Sequence, residues 1–165
     1  MKIITIWVLT LLTFNVNANT MNTPERTVIG LFIATDQQDW ELVTESFHDQ
    51  VVLDYSSMNG NPASTLSPDQ IVSAWKGILP GFESTHHQLG NVTTTLKGKS
   101  AEVFCYGTAS HYLADETGNI WWVVGTYNFE LELIQDKWKI TSMKFNFKYQ
   151  DGNTTLPEKA INNLK

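Results

Sequence analysis

The stretch AEVFCYGTASHYL, residues 101–113, decides the fold. Side chains alternate across a strand, so Ala101, Val103, Cys105, Gly107, Ala109, His111 and Leu113 share one face. That face is apolar and mostly small. Small side chains beneath a covering helix leave space instead of filling it. The next run, IWWVVGTYNFELELI at 120–134, places Trp121, Val123, Gly125, Tyr127, Phe129, Leu131 and Leu133 on one face. DETGN at 115–119 separates the two runs as a turn, so they predict an antiparallel hairpin. Strands predicted at 85–96 and 138–149 extend it on either side, through turns at Lys97-Gly98-Lys99 and Gln135-Asp136-Lys137. Along the last strand the apolar parity changes, from Trp138 and Ile140 to Met143, Phe145, Phe147 and Tyr149. That signals a bulge near Ser142, and bulges bend sheets.

Working back toward the N-terminus, Pro24-Glu25 opens a helix with Val28, Ile29, Leu31, Phe32 and Ile33 on a broad apolar face. A second helix is predicted over 37–47, carrying Trp40, Val43, Thr44 and Phe47, with His48 closing it. Thr35-Asp36-Gln37-Gln38 between them has the form of a capping box. Val51 to Tyr55 reads as a short strand. A third helix starts at Ser67-Pro68 and carries Ile71, Val72, Trp75 and Ile78. Helices first and long strands later argue an α+β domain: a cone-shaped barrel, with a curved, mostly antiparallel sheet wrapped around three N-terminal helices. The domain is expected over 24–149. A polar, loosely held tail follows at 150–165, in which Leu156 and Ile161 could dock. Residues 1–18 have the order of a secretory signal peptide: Lys2, an apolar run to Phe14, then small residues ending at Ala18. The expectation is an exported protein, periplasmic or secreted, with no membrane span left after cleavage.

Composition narrows the function. The net charge is -6 and no Lys/Arg cluster is present, so a nucleic-acid partner is not expected. The single cysteine, Cys105, allows no intrachain disulfide and reads as a small core residue more than a nucleophile. No serine-hydrolase elbow, phosphate loop or dinucleotide glycine fingerprint occurs. His86 and His87 are neighbours on a strand and point to opposite faces, so they cannot share a metal ion, and no metal or other cofactor is expected. What survives is acid–base work by histidine, aspartate and tyrosine in an apolar pocket. Taken alone, His111 is either a core histidine held by one hydrogen bond or a proton carrier. Asp36 is a helix cap or a partner for a histidine, and Tyr55 a core aromatic or a donor. The aromatic load (six Trp, five Tyr, eight Phe) suits a lined pocket for a small apolar molecule, with Trp40, Trp75, Tyr127 and Cys105 as candidate lining. Trp122, Val124 and Thr126, on the face opposite Tyr127, could form an oligomer interface.

Five landmarks carry a family resemblance: Asp36-Gln37-Gln38-Asp39-Trp40, Leu53-Asp54-Tyr55, Thr85-His86-His87, Ser110-His111 and Trp138-Lys139-Ile140. In order and spacing the chain resembles the SnoaL-like family of the nuclear transport factor 2-like superfamily, in its scytalone dehydratase-like branch, from about Pro24 to Tyr149. The resemblance implies a cone with three helices, often dimeric or trimeric, and cofactor-free elimination of water by two histidines and an aspartate. Position by position, it implies that His87 and His111 are the acid–base pair, that Asp36 orients a histidine, and that Tyr55 is one of two tyrosines serving the substrate carbonyl. The other family tyrosine is Thr35 here, and the family asparagine on the long strand is Tyr127. The function implied is a lyase or isomerase acting on a small apolar carbonyl compound. The alternative is a binding module of the same fold without catalysis.

Overall fold

A computed structural model describes residues 22–165, so the signal peptide expected at 1–18 lies outside the described residues. The chain runs α1 (Pro24–Asp36), α2 (Trp40–Ser46), β1 (Phe47–Asp54), α3 (Ser56–Asn59), β2 (Ser64–Leu66) and α4 (Pro68–Lys76). A 3₁₀ turn (Leu79–Gly81) leads into β3 (Ser84–Lys97), β4 (Ser100–Tyr112), β5 (Ile120–Ile134), β6 (Lys137–Gly152) and α5 (Leu156–Asn163). The six strands form one sheet in the order β2-β1-β6-β5-β4-β3. Every pairing is antiparallel except β1 with β6.

Three register slips bend the antiparallel part of this sheet. Between β5 and β6 the pairing slips at Glu130/Leu131, where Thr141 is the extra residue beside Ser142, as the parity change predicts. A second slip lies at Val124/Gly125 opposite Lys148. The third is in β3, where Asn91 and Val92 face one residue of β4 and Asn91 adopts a φ of 50°. The sheet curls over α1, which buries Val28, Leu31, Phe32 and Thr35 at helical spacing on the inner face. Ile29 and Ile33, expected on that face, point outward. Phe129, Leu131, Ile140, Met143 and Phe145 are fully enclosed between sheet and helices. Each contributes about 1.5–3 kcal/mol of burial.

Several local expectations change. Thr35 is not a cap: it lies inside α1 and its hydroxyl donates back to the Leu31 carbonyl at 2.8 Å. The cap of α2 is Asp39, whose carboxylate accepts from the Leu42 amide, so the helix starts at Trp40. His48 does not close that helix; it is the second residue of β1, and its Nδ1 accepts from the Gln50 amide. At α4 the Ser67 capping box is complete, with the Gln70 side chain returning to the Ser67 amide.

The C-terminal residues are not a loose tail. β6 continues to Gly152, and α5 seats Leu156 and Ala160 with no exposure. Asn153 ties the entry to α5 to Thr117 and Gly118, Lys159 pairs with Asp115, and Asn163 donates to the Gly81 carbonyl. Leu156→Ala should therefore lower the unfolding free energy by about 2–5 kcal/mol, as for other enclosed leucines. Urea denaturation checks this. A change within about 0.5 kcal/mol would mean that the segment is not part of the core.

Candidate active site

Asp36 ends α1 and reaches across to β3, where its carboxylate receives three hydrogen bonds. The Thr85 hydroxyl donates to Oδ1 at 2.9 Å, the His87 amide to Oδ2 at 2.7 Å, and His87 Nδ1 lies 2.7 Å from Oδ1. Burial alone would raise the Asp36 pKa. The side-chain hydrogen bond and charge of His87, with the other two donors, outweigh it and hold the group below the ordinary carboxylate range. A carboxylate only accepts, so Nδ1 of His87 carries the hydrogen. In the neutral ring Nε2 then holds the free lone pair.

β4 places His111 beside this dyad. The register pairs Thr85 with His111 and His87 with Ala109, so the two imidazoles share the inner face, offset by two residues. Their centroids are 6.0 Å apart. His111 is buried between Phe82 and Trp121, at centroid distances of 4.9 and 4.6 Å. Its Nδ1 lies 3.4 Å from the Trp121 carbonyl, another pure acceptor, so the proton sits on Nδ1 and Nε2 is again a lone pair. Burial, reinforced by nearby His87, pushes the His111 pKa down to about 4. At neutral pH this ring is an uncharged acceptor with no proton to give from Nε2. That differs from the proton-donor half of an acid–base pair.

Both rings line an apolar cavity of about 170 Å³ under the sheet. Tyr55, Trp75 and Tyr127, three of the residues singled out from sequence, line it too. Trp40 and Cys105 do not. Trp40 opens α2 and packs against the edge of the core, with Lys76 Nζ 5.7 Å from its ring centroid. Cys105 is fully enclosed in β4, one pair below the cavity floor, and burial raises its thiol pKa to about 11. It is core. Residues not anticipated include Thr85, which shares the His87 face two positions away, and Phe32, Trp121 and Phe145 of the wall. The parity of Trp121 and Phe145 marks them as inward-facing, but not as wall rather than core. The Tyr55 phenol is pushed above its ordinary pKa by burial, and that of Tyr127 well above it by burial and by Tyr55. Both are O–H donors at neutral pH. Among the described residues, no group of three His, Cys, Asp or Glu side chains is arranged to hold a metal ion. A larger groove of about 510 Å³ lies at the opposite end, by Thr27, Glu45 and Lys139, but it is open to solvent and holds no comparable cluster.

The SnoaL-like domain model matches residues 25–144. Among solved structures, Kfla4162 protein from Kribbella flavida is 24% identical with a TM-score of 0.75, over 81% of this chain and 93% of that one. A protein assigned as a scytalone dehydratase from Novosphingobium aromaticivorans is 18% identical with a TM-score of 0.68, over 78% and 84%. The hexachlorocyclohexane dehydrochlorinase LinA-type3 from Novosphingobium barchaimii is 11% identical with a TM-score of 0.65, over 79% and 87%. At these identities the likeness is one of fold. No curated protein matches the chain by sequence.

The buried, neutral His111 ties stability to pH. Its pKa is about 4 folded against 6.5 free, so between those values the unfolded chain binds a proton that the folded one refuses. The contribution is whole above pH 6.5 and is lost as the pH falls toward 4, by about 3 kcal/mol. The Asp36 contribution is lost only below its ordinary 3.8, at lower pH still. Urea unfolding between pH 7 and 4 should show this fall in the wild type and a flatter limb in His111→Phe. Equal slopes would contradict a buried neutral ring.

Proposed function

This chain belongs to the SnoaL-like family, and on that premise we propose that it is a cofactor-free lyase or isomerase of the dehydratase kind, acting on a small, uncharged carbonyl compound. One observation carries the proposal: Asp36 Oδ1 lies 2.7 Å from His87 Nδ1, so the ring's other nitrogen is left to the wall of an apolar cavity. That is a general base with its orienting group in place.

The chemistry follows from where protons sit. With a β-hydroxy carbonyl compound bound, His87 Nε2 takes the proton from the carbon next to the carbonyl. The electron pair moves onto the carbonyl oxygen as an enolate, which the Tyr55 O–H stabilises by donating to it. The Asp36 carboxylate stays beside the imidazolium that forms. When the enolate collapses, the carbon–oxygen bond to the hydroxyl breaks and His87 returns its proton to that oxygen, releasing water. One histidine performs both transfers. His111 offers a neutral lone pair that can hold the leaving hydroxyl. Return of the proton to a different carbon would make the same site an isomerase.

The test uses 3-hydroxycyclohexanone, followed by the absorbance of the enone formed on loss of water. His87→Ala and Asp36→Asn should each lower the rate by about 100- to 10,000-fold, the usual worth of a positioned proton carrier. A wild type no faster than His87→Ala would reject catalysis by the dyad. It would favour the second reading, a ligand carrier of the same fold, for which the apolar lining is the supporting observation.

A further inference from the structure

Gly107 lies in the middle of β4, where the backbone does not call for glycine. Its φ is outside the left-handed region, and a glycine inside a strand weakens the strand. What the residue offers is space. It pairs with Gly125 of β5, and the next pair on the same face, Ala109 and Val123, lines the cavity. A Cβ on Gly107 would stand 2.3 Å from Cε2 and 2.8 Å from Cδ2 of Tyr127. One on Gly125 would stand 2.4 Å from Cε2 of Phe145 and 2.5 Å from the Asn146 carbonyl oxygen. Carbon atoms in contact sit about 3.5–4.0 Å apart, so neither ring could keep its place above an alanine.

The two glycines differ in what would have to give. At Gly125 the obstacle includes backbone, so the fold itself requires that glycine. At Gly107 the three nearest atoms all belong to the Tyr127 ring, which lines the cavity. That ring lies between β4 and the Phe32 ring of α1, with Phe32 at 5.0 Å and Phe145 at 4.8 Å between centroids. Side chains stand roughly perpendicular to a sheet, so a methyl at 107 would lift the Tyr127 ring off β4 and into the hollow. The lift needed is about 1 Å or more. The hollow has little to spare. Its volume is about 170 Å³, and a dry cavity of roughly 150 Å³ is what benzene needs.

We propose that Gly107 is a specificity-determining residue of this cavity. By letting the Tyr127 ring lie against β4, it leaves the depth that one flat six-membered ring requires. An alanine there would admit only slender ligands. The proposal deepens the reading above, rests on it for the existence of a ligand, and adds the shape of that ligand. An aromatic floor favours a planar ring, which stacks on it or meets it edge to face. No lysine or arginine among the described residues lines the cavity, so the ring is an uncharged one. The depth makes no demand on the histidines.

The experiment measures the binding of two apolar probes to the whole protein: benzene by calorimetry and xenon by ¹²⁹Xe resonance. The wild type should bind both saturably. Gly107→Ala should weaken benzene by about tenfold or more, the usual cost of overpacking a filled site, while xenon stays within about twofold. Gly107→Ala with Tyr127→Leu replaces the ring by a shorter, flexible side chain and should regain benzene. Tyr127→Leu alone lowers the floor without any clash and should tighten p-xylene binding by about tenfold, which keeps the test open if Gly107→Ala does not fold. His87→Gln should bind benzene like the wild type while losing dehydration, so failure of the base and failure of the floor are told apart. A wild type that does not bind benzene overturns the proposal. So does a Gly107→Ala protein that binds benzene unchanged or loses both probes equally, and so does p-xylene affinity unmoved in Tyr127→Leu.

Discussion

The carboxylate of Asp36 is the point on which helix, sheet and site all depend. It stands at the C-terminal end of α1, where the helix dipole disfavours negative charge and no basic residue in the last turn offsets it. Three donors from β3 compensate: a hydroxyl, an amide and an imidazole. The same contacts pin the end of α1 to β3 at the sheet's edge and fix which nitrogen of His87 is free. An acid at the unfavourable end of a helix breaks a local rule, and such breaks concentrate at functional sites. Structure and chemistry are here one set of hydrogen bonds.

Around that anchor the cavity exists because β4 withholds volume. Gly107 and Ala109 leave room under the helices, and the Gly107–Gly125 pair lets two rings lie against the backbone. Bulges at Thr141, Lys148 and Asn91 curl the sheet so that this thin region faces α1 instead of opening flat. The resulting hollow is apolar and small, and no lysine or arginine lines it. Burial there disfavours charge on His111, and the two histidines differ in their partners: one is backed by a carboxylate, the other only by a carbonyl.

Strand parity made the sheet legible from sequence. The alternation in 101–113 and 120–134 gives the inner faces, and the parity change before Met143 locates the bulge to within a residue. Because register follows from parity, it also follows that His87 and His111 open to the same side, but only once β3 and β4 are paired. The short helical boundaries were less legible. Thr35 and Asp39 are both good caps by type, and the choice between them depends on tertiary contacts that bury Thr35. Trp40 and Trp75 look alike in a helical pattern, yet only the latter faces the cavity. The docking of α5 depends on a hollow near Gly81 that no local pattern announces. Thr85 and the misplaced charge of Asp36 carried a readable signal, the one by its spacing from His87 and the other by its position in α1.

The most direct measurement is the tautomer of His87, read from the side-chain nitrogen resonances in a long-range ¹H–¹⁵N correlation spectrum at a pH where the ring is neutral. The account predicts a hydrogen fixed on Nδ1 and a bare Nε2 in the wild type, with that preference lost in Asp36→Asn. A hydrogen found on Nε2, or an average over both nitrogens that Asp36→Asn leaves unchanged, would contradict it.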